Sequence, residues 1–236
     1  MEPVRARPGA LADGCVLFDL DGTLVDTAPD LADALNKVLW HHGEARITSL
    51  DVADMIGDGL YELLKRTFAR CRTPIPPERL PAEFARFRQI YRSSPARLSR
   101  PYPGMVDVIE HLASRGARLA VCTNKDEPIA DSILVALGLR PYFGALVGGT
   151  ASRPKKPDPA PLTLAIRKLK GRRDRTVMVG DSRADLAAGR AAGVGVVLVS
   201  HGYGREDVAL LRPDHTAHDG ASLLAAITGL LDRVCE

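Results

Sequence analysis

The run Asp19-Leu20-Asp21-Gly22-Thr23 places two carboxylates two positions apart, directly after the apolar stretch Cys15-Val16-Leu17-Phe18. That stretch has the length and composition of a short buried strand. In an extended chain the two acids point the same way. Gly22 lets the chain turn at once, so they can diverge, one to attack and the other to handle a proton. Three more groups of reactive residues follow, two at the ends of apolar runs and one in a proline-flanked basic segment. Thr123 and Asn124 follow Val121-Cys122; a hydroxyl and free backbone N–H groups there can hold phosphate oxygens, or cap the next helix. Lys155-Lys156-Pro157-Asp158-Pro159 offers a lysine fixed beside rigid prolines as a point charge, and spacing does not say which lysine faces inward. Gly180-Asp181-Ser182-Arg183-Ala184-Asp185 sets hard oxygen ligands suited to Mg²⁺ at a strand end, or an Asp or Ser helix cap. Each group alone has an ordinary structural explanation. All four occur in order, each immediately after a strand or in the adjoining loop. If the strands are parallel, their carboxyl ends bring the acids, the hydroxyl and a lysine to one edge.

The elements that must do this positioning follow a repeated phrase of helix, glycine and apolar strand. Met105–Arg115 ends at Gly116 before Arg118–Cys122, and Pro128–Leu137 ends at Gly138 before Ala145–Val147. Pro161–Lys170 ends at Gly171 before Thr176–Val179, and Ala184–Ala192 ends at Gly193 before Val194–Val199. Each glycine suits the left-handed position just past a helix. Near-continuous Val/Leu strands alternating with helices predict a parallel sheet covered on both faces. His215–Ala217 and Ser222–Leu231 form a last turn of the phrase.

Between Thr27 and Ser99 the pattern changes to helices at Asp30–His41, Ser49–Met55, Leu60–Arg70 and Glu78–Tyr91, without a convincing strand. Thr27 is placed to cap the first of them. The expected architecture is α/β: a Rossmann-like parallel sheet core over 15–26 and 99–236, with an inserted all-helical cap over 27–98. Residues 1–14, rich in Arg, Pro and Gly, read as a flexible tail. Trp40, Phe84, Phe87 and Tyr91 are expected to pack the cap's own interior.

Composition narrows the function classes. The chain has 236 residues, is 45% apolar and carries a formal charge of +3. Its basic residues are scattered rather than gathered in a stripe, which argues against nucleic acid as a partner. No apolar stretch approaches the ~20 residues of a membrane span. The four cysteines, Cys15, Cys71, Cys122 and Cys235, form no CxxC pair, as in a reduced cytoplasmic protein. His41-His42 sit at a helix end, and His215 and His218 are too isolated for a zinc site. No dinucleotide-binding or Walker glycine pattern is present.

Taken together, the four groups resemble the haloacid dehalogenase superfamily from Cys15 onward, and within it the phosphoglycolate phosphatases. The resemblance is carried by Phe18–Leu31, Pro101–Gly104, Thr123–Lys125, Lys156–Leu162 and Val179–Asp185. It implies that Asp19 is the nucleophile and Asp21 the general acid and base. It implies Mg²⁺ held by the Asp19 carboxylate, the Asp21 backbone carbonyl and the Asp181 carboxylate. Thr123 and the Asn124 N–H would bind phosphoryl oxygens, and Lys156, rather than Lys155, would neutralise charge. Asp185 would anchor Lys156 or a metal-bound water, with Ser182, Gly22 and Thr23 in support. The implied substrate is 2-phosphoglycolate, or otherwise another small phosphorylated metabolite such as a sugar phosphate, an amino-sugar phosphate or pyrophosphate. A phosphosugar mutase would need cap groups that are not identifiable, a hydrolytic dehalogenase typically lacks the acid at Asp21, and a non-catalytic metal-binding protein would not need all four groups. A monomer or homodimer is expected.

In the cap, Ile56-Gly57-Asp58-Gly59-Leu60 can bring N–H groups to a small anion at a helix start, or be an ordinary glycine-rich turn. Lys65 and Arg66 could add charge, or simply face solvent. Two places depart from the resemblance: similar enzymes often have a proline directly after the lysine matching Lys125, where Asp126-Glu127 intervene before Pro128, and often an acid after the Gly-Gly matching Gly148-Gly149, where Thr150 stands.

Overall fold

The structure, a computed structural model, describes residues 11–72, 75–150, 152–204 and 207–232. The Met1–Ala10 part of the expected tail, Pro74 and Cys235 lie outside them. Leu11–Gly14 is packed rather than loose: Leu11 is buried, and the Gly14 carbonyl accepts the Arg118 N–H at 2.8 Å.

Strand β1 (Cys15–Phe18) ends at the two aspartates. The chain then forms a short strand β2 (Val25–Asp26) and four helices, α1 (Ala28–His41), α2 (Ser49–Ala53), α3 (Leu60–Ala69) and α4 (Leu80–Ser93). It returns through β3 (Arg100–Pro101), antiparallel to β2. The remainder alternates: α5 (Met105–Ser114), β4 (Arg118–Asp126), α6 (Glu127–Ala136), β5 (Phe143–Gly149), α7 (Ala160–Lys168), β6 (Thr176–Gly180), α8 (Arg183–Ala192), β7 (Gly195–Val199), β8 (His215–Ala217) and α9 (Gly220–Asp232).

The six-stranded sheet has the order β5-β4-β1-β6-β7-β8, and every pairing is parallel. Residue alternation explains why the strands read as continuous apolar runs. Cys15 and Leu17 enter one core layer with Met178 and Leu186; Val16 and Phe18 enter the other with Val177 and Leu223. Both faces are covered, so the middles of the central strands are apolar, and most polar residues of β4 gather at its carboxyl end. From β1 the chain builds to one side through β4 and β5, then crosses to the other through β6, β7 and β8. The order reverses at β1, which makes the carboxyl ends of β4, β1 and β6 the natural crevice for a ligand.

The helical insert leaves and re-enters beside that crevice. Asp30 on the first turn of α1 ties the two ends: its carboxylate accepts Leu98 N–H, Ser99 N–H and Ser99 Oγ–H, the last at 2.6 Å. Leu31, Leu35, Val38 and Leu39 form the buried stripe of α1. Trp40 falls off that stripe and is 81% exposed, so it does not pack the insert's interior as the sequence suggested. His42, beyond the end of α1, lies edge-on to Phe68 and 3.3 Å from Glu83, within the insert. Thr27 makes no side-chain cap on α1, because its hydroxyl is engaged by Asp21.

Gly116, Gly138 and Gly193 take the left-handed position after α5, α6 and α8. Gly171 does not, since Lys170 adopts that conformation instead. Glycine is needed at 171 for space: a Cβ there would lie 2.3 Å from the Cys15 sulfur. No helix among the described residues is long and apolar enough to cross a membrane.

Asp30→Ala would leave buried donors of the return segment without their acceptor. The expected loss is about 2–3 kcal/mol of unfolding free energy, because the bonds run to a charged group. Urea denaturation checks it, with Asp30→Asn expected to lose less.

Candidate active site

Asp19 is the first residue beyond β1, and its N–H still bonds in sheet fashion to Val179 O at 2.9 Å. Gly22 takes φ +82°, and a Cβ there would meet Asp181 Oδ2 at 2.5 Å, so both conformation and space require glycine. The turn that follows is closed by Leu20 O, which accepts Val25 N–H at 3.0 Å. It carries Thr23 inward to donate to Asp181 Oδ1 at 3.0 Å.

From β6 come Asp181, Ser182 and, one turn into α8, Asp185. Ser182 and Asp185 form a reciprocal capping box on α8. Asp185 is fully buried, with Oδ2 accepting from Ser182 Oγ at 2.6 Å and Oδ1 accepting from Lys156 Nζ at 2.6 Å. Lys156 Nζ also lies 3.0 Å from Asp19 Oδ1. The lysine that faces inward is therefore Lys156. Lys155 is exposed, and its Nζ reaches the Asp58 carbonyl of the insert at 3.3 Å.

Carboxylate oxygens of Asp19, Asp181 and Asp185 all lie within 4.8 Å of one another. Burial pushes the Asp19 and Asp181 carboxyls above the ordinary range, and their mutual repulsion with Asp185 adds to it. Lys156 opposes the shift at Asp19. For Lys156 itself burial works against the ammonium, but Asp185 and Asp19 outweigh it and hold the charge. Asp185 is fully buried between the Lys156 ammonium and the α8 capping box, whereas Asp19 and Asp181 line the cavity. Asp19 and Asp181 are the better metal candidates, and their hard oxygens and excess negative charge fit a divalent cation such as Mg²⁺.

Asp21 goes elsewhere. Its Oδ1 accepts from Lys125 Nζ at 2.8 Å and from the Thr27 hydroxyl. The two acids of the motif thus face different partners, as the turn at Gly22 suggested. Thr123 and Asn124 line the same cavity, on a stretch of β4 where the register against β5 shifts between Cys122 and Asp126. The Asn124 side chain has a task its type did not reveal. It brackets the Lys156 backbone, accepting its N–H at 2.9 Å and donating to its carbonyl at 3.0 Å, and also donates to Gly57 O at 3.0 Å.

The cavity, of about 310 Å³, opens between these residues and the insert. Gly57, Asp58, Gly59, Leu63 and Arg66 line its far wall. Arg66 faces it, held by Asp58 and by Met55 O at 2.9 Å, whereas Lys65 pairs with Glu62 on the exposed side of α3. His215 and His218 lie away from it; His218 Nδ1 meets Ser200 Oγ at 2.9 Å.

Sequence reasoning missed Lys125 as a site residue, as well as Tyr203 and His201. The Tyr203 N–H donates to Asp181 Oδ2 at 2.8 Å, and its hydroxyl accepts the Thr27 and Ala28 N–H groups at the start of α1 while donating to Asp26. His201 Nε2 lies 3.1 Å from Thr23 O. Only Lys125 had a local signal, its place directly after Thr123-Asn124. The departures at 126 and 127 also gain partners: Asp126 pairs with Arg88 of α4 at 2.6 Å, and Glu127 accepts from Gly148 N–H and from Arg153.

Comparison with known proteins points the same way. Residues 16–199 match the family described as haloacid dehalogenase-like hydrolase. A phosphoglycolate phosphatase of Caulobacter vibrioides is 41% identical over 216 residues, covering 92% of this chain and 91% of that protein. One from Rhodospirillum rubrum is 42% identical, covering 88% of each. Among solved structures, a protein from Haemophilus somnus described as a predicted phosphoglycolate phosphatase superposes with a TM-score of 0.84 at 30% identity, covering 91% of this chain and 97% of that one. CbbY from Rhodobacter sphaeroides in complex with phosphate gives 0.71 at 25% identity, covering 91% and 98%.

Removing the Lys156 ammonium strands buried carboxylates. Lys156→Ala is expected to cost about 3–5 kcal/mol of stability, the penalty for breaking a buried ion pair. Lys155→Ala should cost less than about 1 kcal/mol. Chemical denaturation of the two variants side by side checks the difference.

Proposed function

This chain belongs to the haloacid dehalogenase-like hydrolases, and we propose that it is a Mg²⁺-dependent phosphomonoesterase that converts 2-phosphoglycolate to glycolate and phosphate. The observation that carries the reading is the division of labour between the two acids of one motif. Asp19 lies in the charged cluster with Lys156 and Asp181, while Asp21 is held apart by Lys125 and Thr27 on the same cavity.

In this reading an Asp19 oxygen forms a bond to phosphorus while the bond from phosphorus to the leaving oxygen breaks. Asp21 gives its proton to that oxygen. In the second half water attacks phosphorus, the Asp19–phosphorus bond breaks, and Asp21 takes the water's proton. Lys156 offsets charge on Asp19 and on the transferring group, while the Thr123 hydroxyl and the Asn124 N–H receive phosphoryl oxygens. Mg²⁺ would be held by the Asp19 and Asp181 carboxylates and the Asp21 carbonyl, and when bound it reduces the repulsion between an anionic nucleophile and an anionic ester. Asp185 positions Lys156, and Ser182 positions Asp185 in turn.

Residues 27–98 act as a cap over a core made of 15–26 and 99–236. A small cavity suits a small ester, and Gly57, Gly59 and Arg66 form the wall that the glycolate end would meet. The named relatives support 2-phosphoglycolate over bulkier phosphates. A cytoplasmic location fits a substrate of that kind.

Asp19→Asn is expected to abolish turnover with the fold retained, checked by steady-state kinetics beside circular dichroism. In a screen against sugar phosphates, amino-sugar phosphates and pyrophosphate, 2-phosphoglycolate should show the highest kcat/KM. Metal dependence has a pH signature. Burial raises Asp181 to about 8 in the folded chain, against ~3.9 when unfolded. A folded pKa raised in this way gives stability that is complete below about 4 and lost as pH climbs through 8. A cation replaces the missing proton, so the Tm gain on adding Mg²⁺ should grow from pH 6 to pH 8. Asp181→Asn should erase that growth.

A further inference from the structure

Helix α4 meets the core at two adjacent residues of one strand end. Arg88 Nη2 donates to Asp126 Oδ2 at 2.6 Å. Three residues on, the Tyr91 ring lies against the Lys125 ammonium, 4.9 Å from nitrogen to centroid. Arg88 is itself steadied over the Phe84 ring at 5.7 Å, and Tyr91 stacks on Phe87 at 6.2 Å. Positions 84, 88 and 91 share one helical face. That face grips Lys125 and Asp126.

Lys125 has no exposed side-chain surface, and its Nζ reaches Asp21 Oδ1 at 2.8 Å. Thr27 donates to the same oxygen. With both donors on Oδ1, no donor among the described residues is seen on Oδ2. The carboxylate lines the cavity with its orientation set from one side. The ammonium can hold that orientation only while something fills the space behind it. The aromatic wall of α4 does so, and the Arg88–Asp126 pair keeps α4 seated.

We propose that Arg88, Tyr91, Lys125 and Asp126 are positioning residues that set Asp21 for proton transfer through the contact between α4 and the end of β4. The proposal rests on the phosphatase reading above and adds to it the means by which the insert aims the acid. It also gives the unusual Asp126 a task. A proline at 126 would lack the carboxylate that Arg88 holds.

The test separates aim from general loosening through the leaving group. An alkyl ester such as 2-phosphoglycolate needs a proton on its departing oxygen, whereas p-nitrophenyl phosphate releases a phenolate that does not. The kcat/KM of a phosphoenzyme mechanism reports the step in which that oxygen leaves. Arg88→Met, Asp126→Asn and Tyr91→Leu should each lower kcat/KM for 2-phosphoglycolate by ~10-fold or more, since small misplacements of a reacting group cost up to ~100-fold. The aryl ester should fall by less than ~3-fold, the part not dependent on proton donation. Tyr91→Phe keeps the ring and should stay within ~2-fold on both esters, rescuing the loss seen with leucine. The Arg88→Met/Asp126→Asn double variant should be no worse than the poorer single one, as for two halves of one contact. Arg88 is partly exposed, so its variant carries the test even where Tyr91→Leu fails to fold. Parallel loss on both esters, or no loss on either, overturns the proposal while leaving the phosphatase reading intact. A wild-type protein that hydrolyses neither ester sinks that reading, and the proposal with it.

Discussion

One buried ammonium holds the site together. Lys156 Nζ sits between Asp185 at 2.6 Å and Asp19 at 3.0 Å, as the paired cation of a cluster that also contains Asp181. Three acids and one lysine leave the cluster with surplus negative charge in a place where water is scarce. Buried charge of this kind is expensive unless it is paired. The chain tolerates it because donors converge on each acid: the capping box on Asp185, Thr23 and Tyr203 on Asp181, the Leu20 N–H on Asp19. What remains uncompensated is the feature a divalent cation would answer. A site tuned for catalysis keeps such a surplus, and its stability is the poorer for it.

The fold's contribution is to place the ends of three strands side by side. β1 supplies Asp19 and Asp21, β4 supplies Thr123 through Asp126, and β6 supplies Asp181. Their adjacency follows from the reversal of strand order at β1. Lys156 arrives on the loop before α7, and its backbone is fixed by Asn124 rather than by the sheet. Asn124 also bonds to Gly57, so one amide ties the cationic centre to the insert that covers it. Around the cavity the loop at Gly57 and the face of α4 join the insert to the core, and Asp21 and Tyr203 hold the start of α1.

How much of this could be read beforehand depends on whether the cause was local. The alternation of helix, glycine and apolar strand has local causes, and the sheet and its covering helices follow from it. Three of the four reactive groups were also legible, because each lies at a strand end that its own neighbours define; the lysine pair sits in a loop, and which of the two faces inward is set by Asn124 and Asp185. Lys125 was not. A lysine without exposed surface is explained by Asp21, 104 residues away, and by an aromatic ring from a different helix. Tyr203 closes on Asp26 across 177 positions, with no pattern in its surroundings to announce it. Tyr91 had the periodicity of an interior residue of the insert, and it is buried, yet part of what it covers belongs to the core. Trp40 shows the converse error: aromatic character suggested burial, but helical phase decides it. Gly171 was expected to be a matter of backbone conformation and proved to be one of clearance against Cys15.

The account turns on Asp19 taking the phosphoryl group covalently. Rapid quenching of the enzyme with excess substrate, borohydride reduction of any acyl phosphate, and peptide mass spectrometry address that directly. The account predicts homoserine in place of aspartate at position 19, appearing within a single turnover and absent without substrate. Steady release of phosphate with position 19 unmodified at every time point, or with the label on another residue, would contradict it.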